Sequence, residues 1–237
     1  MKTRISVVLA LLWAALQMAL SAGAHAAPLN LTNSYPDFFV TGLSYSYNAA
    51  TGNLAIQGTV GSYSAAAAPS PQLQVTNHPT DGSYLELFSL NAQLDAGGNV
   101  LSGSFRIDGV VRTSGFPVGC TPGTYTCVLY DGSTSTGGLL SGNLEDFGWS
   151  LNSGSNGVLE FTFGGASGVI ADLGYHGGGM ILSVSSSTLT NFGTQALTTS
   201  WTGSGLGDVF VPVPAAVWLF GSGILALLGV ARRKTGR

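Results

Sequence analysis

The stretch that decides the fold is residues 39–60, FVTGLSYSYNAATGNLAIQGTV, in which two alternating runs flank a turn at residues 48–53. Every second position of the first run carries one set of side chains, which comprises Phe39, Thr41, Leu43, Tyr45 and Tyr47. In the second run the corresponding set is Leu54, Ile56 and Val60. A period of two places alternate side chains on opposite faces of a strand. The stretch therefore predicts a β-hairpin with one face in the core.

The same period recurs further along the chain. Two more runs flank a turn at residues 95–99, and two others occupy residues 159–163 and 180–184. The side chains expected to face the core are Leu90, Ala92, Leu94, Phe105, Ile107, Leu159, Phe161, Phe163, Met180, Leu182 and Val184. No helical periodicity of useful length precedes residue 215. The pattern predicts an all-β domain, either an antiparallel β-sandwich or a jelly-roll-like domain, with its sheets packed face to face.

The N-terminus has the parts of a secretory signal peptide. Two cations precede a mostly apolar run at residues 5–20, and small residues follow it. This order predicts a signal peptide over residues 1–26. Ala24 and Ala26 fit the A-x-A cleavage pattern, so we expect the mature chain to begin at Ala27. Cleavage after Ala24 and an uncleaved anchor are the alternatives.

The C-terminus has the parts of a membrane-spanning segment. Two prolines precede sixteen uncharged residues, 215–230, and a basic cluster follows. At about 1.5 Å per residue the uncharged run spans roughly 24 Å, close to the hydrocarbon thickness of a bilayer. We expect a single transmembrane helix over residues 215–230, with the basic end in the cytoplasm. A buried C-terminal helix of a soluble protein is the alternative.

Residues 211–237 also resemble a known sorting signal, the VPLPA type of the PEP-CTERM family. The matching positions are Val211, Pro212, Val213, Pro214, Trp218, Phe220, Gly221, Gly223, Arg232, Arg233 and Lys234. The resemblance implies an exported protein of Gram-negative bacteria whose tail is recognised in the membrane by an exosortase, a protease or transpeptidase that cuts near the prolines. Val213 stands where the commonest form has glutamate, which leaves the exosortase subtype open. The likeness is confined to this tail and gives no activity for the rest of the chain.

Between the hydrophobic ends we expect a β-rich exported domain over residues 27–202 and a glycine-rich linker over residues 203–210. Residues 27–210 contain eleven acidic residues and only Arg106 and Arg112 as cations, a net charge of −9. Nucleic acids are bound by clustered cations, so this charge argues against a nucleic-acid partner. Docking on anionic lipid is disfavoured for the same reason. The C-terminal helix is then the only expected membrane contact.

Two cysteines are candidates for a disulfide. Cys120 and Cys127 are the only cysteines in a chain that we expect to be exported, and the periplasm oxidises such pairs. Their C-x6-C spacing does not fit a C-x-x-C redox site, and no nearby histidine completes a zinc site. We therefore expect one intramolecular bond between them.

The sequence favours no metal or cofactor. His78 and His176 are far apart and belong to no H-x-H or H-E-x-x-H pattern. Asp95, Asp131 and Asp172 lie beside glycines, where turn formation is the commoner role of aspartate. A calcium site built from loop carboxylates is the alternative, although the sequence contains no EF-hand loop.

Catalytic patterns are also missing from the sequence. No G-x-S-x-G motif occurs. Glu145 and Asp146 are neighbours, so a regular strand would direct them to opposite faces. Glu86 and Glu160 are distant in sequence and could converge in the fold. We expect a protein that is not an enzyme, and a secreted hydrolase is the least favoured alternative.

The function expected from these observations is that of a cell-surface or extracellular-matrix structural protein. It would leave the cytoplasm through the Sec machinery, lose its signal peptide to signal peptidase, and be held transiently with its domain in the periplasm. A surface carbohydrate-binding module, with exopolysaccharide as its partner, is the alternative. Such a module would present aromatic rings on one exposed face, and the candidate rings are Tyr35, Tyr63, Tyr84, Trp149 and Trp201.

Overall fold

The computed structural model describes residues 27–65, 73–76, 87–112, 128–132 and 138–211. The strands are β1 (Asp37–Asn48), β2 (Asn53–Ser64), β3 (Leu73–Thr76), β4 (Leu87–Leu94), β5 (Val100–Ile107), β6 (Val110–Arg112), β7 (Val128–Asp131), β8 (Leu140–Ser153), β9 (Asn156–Ser167), β10 (Gly178–Ser186) and β11 (Trp201–Phe210). A 3-10 turn (Ala171–Leu173) and one short helix, α1 (Phe192–Gln195), complete the described elements.

Eight of these strands form a closed antiparallel barrel. β1, β2, β4, β5, β8, β9, β10 and β11 each pair with the next of the set, and β1 also pairs with β11, which completes the ring. Because barrel neighbours follow one another along the chain, the barrel has an up-and-down arrangement. β3, β6 and β7 extend the sheet from the end of β2.

The predicted all-β, antiparallel character is confirmed, but the strands do not form the predicted sandwich or jelly roll. Instead of two sheets, a single sheet closes on itself because β1 pairs with β11 from Asp37 opposite Phe210 to Tyr47 opposite Trp201. Closure leaves these strands without an open edge. Alternation along single strands could not reveal this, since the inner face of a barrel and that of a sandwich have the same period.

The predicted hairpins are confirmed. β1 and β2 flank the turn that follows Asn48, and β4 and β5 flank the turn that begins at Asp95. Every core residue predicted on β2, β4, β5, β9 and β10 is buried. The largest fully buried side chains of the core are Tyr45, Tyr63, Phe38, Phe88, Phe161, Phe163 and Phe192.

The predicted alternation fails at the start of β1. Gly42 has a φ of +59°, and the pairing with β11 shifts register beside it. This β-bulge reverses the facing of the residues before it. Phe38 and Val40 are therefore fully buried, whereas Phe39 and Thr41, which the pattern had placed on the core face, are only half-buried.

The predicted linker over residues 203–210 is wrong, because these residues belong to β11, between β1 and β10. Three glycines, Gly203, Gly205 and Gly207, lie on its inward side, where a side chain would meet the backbone of β10. A glycine-rich composition suggests a flexible segment, but here the glycines make space inside a barrel. The folded domain thus extends through Phe210.

The space above these glycines is occupied by Tyr45. This tyrosine lies on β1 opposite Gly203, and its hydroxyl donates to the carbonyl oxygen of Ser183 on β10, 2.8 Å away. A methyl group at Gly205 would overlap that carbonyl and come within 3.3 Å of the Tyr45 ring. Tyr45 therefore crosses the inner side of β11 and connects the two strands that flank it.

The two ends of the barrel are closed by short segments. At one end, α1 brings Phe192 against Trp201, with ring centroids 5.4 Å apart, and the Trp201 indole donates to the Ala196 carbonyl at 2.8 Å. At the other end, fully buried Ile170 precedes the 3-10 turn and donates its backbone N–H to the Leu139 carbonyl at 3.0 Å. The barrel interior is thus a packed core.

Replacing Gly205 by alanine should destabilise the barrel. The new methyl group points inward against Ser183 and Tyr45, and overpacking of this kind costs about 1–3 kcal/mol. The matched control is Ser204→Ala on the exposed side of the same strand, which should change the free energy of unfolding by less than about 0.5 kcal/mol. Denaturant unfolding curves measure both changes. Equal midpoints for the two variants would contradict the packing described for Tyr45.

Candidate functional site

The outward side of β2, β4, β5 and β8 carries a patch of amide and hydroxyl side chains, here called the polar face. It is built by the polar half of the alternating pattern, so its residues pair across strands. Its members are Asn53, Asn91, Gln93, Ser102, Ser104 and Asn143. These residues stay in register across the strands, with Asn91 opposite Ser104 and Ser104 opposite Asn143.

Small side chains make the polar face a shallow depression. Its larger part has a volume of about 690 Å³ and its smaller part about 330 Å³. The two parts share Ser104 and Asn143, so they form one continuous surface. The smaller part reaches β9, where the hydroxyl oxygens of Ser141 and Ser167 are 2.8 Å apart.

The depression is nearly free of charge. Arg106 is the only ionisable residue that lines it, and its guanidinium is paired with Asp108, with Nη2 and Oδ1 2.6 Å apart. The other polar side chains that line it are amides and hydroxyls, and they stand beside the apolar residues Leu54, Ala55, Ala92 and Phe105. Amides and hydroxyls both donate and accept hydrogen bonds. The polar face therefore suits an uncharged, hydroxyl-rich ligand better than an ionic one.

The aromatic rings considered for carbohydrate stacking are mostly part of the core. Tyr63, Trp149 and Trp201 are between 2% and 6% exposed. Tyr35 is half-buried, and Tyr84 lies outside the described residues. The proposed aromatic binding face is therefore wrong for those three rings, because the barrel needs large apolar side chains to fill its interior.

Among the residues weighed as metal ligands, Asp95 has a structural role. Asp95 forms a turn, in which its carboxylate accepts hydrogen bonds from the backbone N–H groups of Gly97 and Asn99, both at 2.8 Å. The hydrogen bond from the Asn99 side-chain amide, at 2.7 Å, and then these backbone bonds lower the pKa of Asp95. His176 is exposed, and His78 lies outside the described residues. Within the described ranges, no three His, Cys, Asp or Glu side chains group closely enough to hold a metal ion.

One of the two carboxylate pairs differs from expectation. Glu145 and Asp146 are both exposed, because a register shift in β8 between Leu144 and Phe147 replaces strict alternation. Asp146 accepts a hydrogen bond from the Thr162 hydroxyl at 3.0 Å. The expectation that the two acids face opposite sides is therefore wrong. Glu86 lies outside the described residues, so its pairing with Glu160 stays untested.

Glu160 instead has a role that the sequence did not suggest. It lies on the outer side of β9 but is only 6% exposed, since residues 27–31 cross over it. Its carboxylate accepts hydrogen bonds from the backbone N–H groups of Leu29, Asn30 and Leu31, at 2.6, 3.1 and 3.0 Å. No sequence motif marks such a contact, because the partners are main-chain groups about 130 positions away.

The predicted sorting and processing residues lie at the limits of the described chain. Val211 is fully buried, and its N–H donates to the Pro36 carbonyl at 3.0 Å. Ala27 is described and exposed. The predictions that fall outside the described residues concern Ala24, Ala26, Cys120, Cys127 and every position from Pro212 to the end of the chain.

The predicted transmembrane helix at residues 215–230 also lies outside the described residues. Among the residues that the structure does describe, no helix has the length and apolar character needed to cross a bilayer.

Two aspartates near the same barrel end have raised pKa values. Burial raises the pKa of Asp37 despite a hydrogen bond from the Asn33 amide, which lies 3.3 Å away. Burial and, secondarily, the charge of Asp37 raise the pKa of Asp208. The two residues are on neighbouring strands, β1 and β11. Neither lines the depressions described above, so we assign their shifts to packing around the barrel end.

Comparison with protein-family models, curated proteins and solved structures found no match to this chain.

Replacing Asp208 by asparagine should stabilise the protein at pH 7. The raised pKa means that the folded state holds the proton more tightly than the unfolded state, so ionisation costs stability as pH rises through the raised value. The melting temperature of Asp208→Asn should exceed that of the native protein at pH 7. The difference should shrink as the pH falls and vanish below about pH 3, where the carboxyl is protonated in both the folded and the unfolded state. The matched control, exposed Asp172→Asn, should show no such pH-dependent gain. A gain that grows on acidification would contradict the assignment.

Proposed function

We propose that this chain is an exported structural protein of the cell surface or extracellular matrix, sorted by an exosortase through its C-terminal signal. The observation that carries the proposal is a barrel with a packed interior that continues without a linker into the sorting motif at Val211. A structural protein of the cell surface needs a stable fold and a sorting signal. In the described part of the chain, the interior of this barrel is filled by side chains and leaves no space for a substrate. We propose no catalytic role for it.

The proposed route has three steps. The signal peptide at residues 1–26 directs export through the Sec machinery and is removed by signal peptidase. The helix at residues 215–230 then holds the chain in the inner membrane, because transfer of the terminal cations across the bilayer is costly. The exosortase finally cuts near Pro212 and Pro214, and the barrel passes to the surface.

The barrel restricts where that cut can fall. Val211 is fully buried and its N–H is bonded to Pro36, so the peptide bond before it is held within the fold. Residues from Pro212 onward follow the last strand directly. A protease that binds an extended substrate would therefore cut without opening β11 only at a bond that follows Pro212 or a later residue.

The mature C-terminus of protein from the native host should therefore lie at or beyond Pro212. Mass spectrometry of the intact protein and of its C-terminal peptide measures it. The control is a strain that lacks the exosortase, in which the chain should extend to Arg237 and stay in the membrane fraction. Recovery of the complete C-terminus from both strains would reduce the tail to an ordinary anchor and overturn the sorting proposal.

A second candidate function is contact with a neutral polysaccharide, and the polar face favours it. Asn91 and Asn143 flank Ser104 across three strands, on a surface whose single cation is already paired. A row of donors and acceptors with no net charge matches sugar hydroxyls. Such a site lacks the stacking rings that strengthen sugar binding, so it suits many weak contacts along a polymer.

The double substitution Asn91→Ala and Asn143→Ala should weaken retention on an immobilised neutral glucan about tenfold, given a net 0.5–1.5 kcal/mol for each lost hydrogen bond. Affinity electrophoresis in gels containing the glucan gives the same comparison in solution. Asn156→Ala, which removes an exposed amide elsewhere on the barrel, is the matched control. Equal retention of all three proteins would exclude the polar face as the binding surface.

A further inference from the structure

The N-terminal residues 27–31, here called the strap, lie in a groove on the outside of the barrel. The groove is formed by Gly148 on β8, Glu160 on β9 and Gly179 on β10, three residues on adjacent strands. Gly148 and Glu160 are direct partners in the ladder. Residues widely separated in the sequence thus form a single binding surface, here called the strap groove.

The strap groove binds backbone. One carboxylate takes the N–H groups of three consecutive residues, which requires those groups to converge on one point. Asn30 permits this because its φ is +55°, a left-handed conformation that asparagine tolerates. Charge-assisted bonds of this kind are among the stronger hydrogen bonds in proteins. The polar part of this recognition therefore depends on the backbone of the strap.

The two glycines make the groove deep enough for the strap. A side chain at Gly148 would overlap the carbonyl oxygen of Ala27 and come within 2.9 Å of Leu29. A side chain at Gly179 would lie 3.0 Å from Leu31 and 2.7 Å from Phe210. The strap and the groove are thus complementary in shape as well as in hydrogen bonding.

We propose that the strap groove also binds the strap of a second copy of this chain in place of its own. Exchange requires a free end, and the strap has one once the signal peptide is removed before Ala27, so this inference rests on the proposed export. The contacts made within one chain and between two chains would be identical, because the groove reads the same backbone. Only the tether through residues 32–36 favours the internal arrangement.

The tether sets the protein concentration at which binding of a strap from a second copy competes with binding of the chain's own strap. Short flexible tethers give effective concentrations on the order of millimolar. A protein crowded on a surface or in a matrix reaches concentrations of that order more readily than one diluted in solution. Exchange of an identical element is a low-cost route to association, so the strap would connect copies where the proposed function needs cohesion.

Two variants separate the strap from the groove. Gly148→Ala blocks the groove and frees its own strap. Asn30→Pro breaks the strap, because proline has no N–H for Glu160 and cannot adopt a positive φ, and it leaves its own groove vacant. Each variant alone should be a monomer. When they are mixed as full chains in detergent, with different C-terminal tags, they should form a one-to-one complex seen by co-purification and by mass.

The controls identify the contact. Glu160→Gln provides a second groove variant that should also pair with Asn30→Pro. Asp172→Asn keeps its own strap in its own groove and should form at least about tenfold less complex with Asn30→Pro. The native protein mixed with Gly148→Ala should form at least about tenfold less complex, since its groove is already occupied. Absence of a complex between the two complementary variants at about 1 mM, the tether's effective concentration, would overturn the proposal. Mass spectrometry of the N-terminus separates this failure from a failure of signal-peptide removal.

Discussion

Closure of the sheet between β1 and β11 is the constraint on which the rest of the structure depends. Once these strands pair, the interior has a fixed volume, and large side chains on one strand require small ones on the next. Tyr45 fills the space over Gly203 and Gly205, and its hydroxyl, which is buried, must find a partner; the Ser183 carbonyl provides it at 2.8 Å. The glycines of β11 therefore follow from closure and from the size of one tyrosine.

A filled barrel leaves the outer surface for recognition. Two outer regions differ from the ordinary polar exterior: the polar face on β2, β4, β5 and β8, and the strap groove on β8, β9 and β10. The first presents uncharged amides and hydroxyls, and the second presents a carboxylate between two glycines. Under the two proposals they would act by opposite means, since the polar face would contact a hydroxyl-rich surface through many weak hydrogen bonds, whereas the groove holds peptide backbone through one carboxylate.

The strands and hairpins could be predicted from local sequence patterns, because side chains that alternate with a period of two show which face of a strand is turned to the core. The pairing of strands that are distant in the sequence could not be predicted from these patterns. Gly203, Gly205 and Gly207 have the composition of a linker, and only the position of β11 between β1 and β10 shows them to be part of the core. Trp201 was a candidate sugar-binding ring for the same reason, since its sequence neighbours do not show that it is buried in the barrel. Glu160 was beyond prediction, since its partners are backbone groups that have no sequence signature.

The segment that leads into β1 and the residue that follows β11 are bonded to each other in the fold. The N–H of Val211, the last described residue, is bonded to the carbonyl of Pro36, which connects the strap to β1. Under the proposed route, cleavage before Ala27 frees the strap while the helix at residues 215–230 still holds the barrel in the membrane. Copies confined to that surface can exchange straps before the second cleavage releases them. The order of the two cuts would then decide whether the barrels leave the membrane singly or already connected.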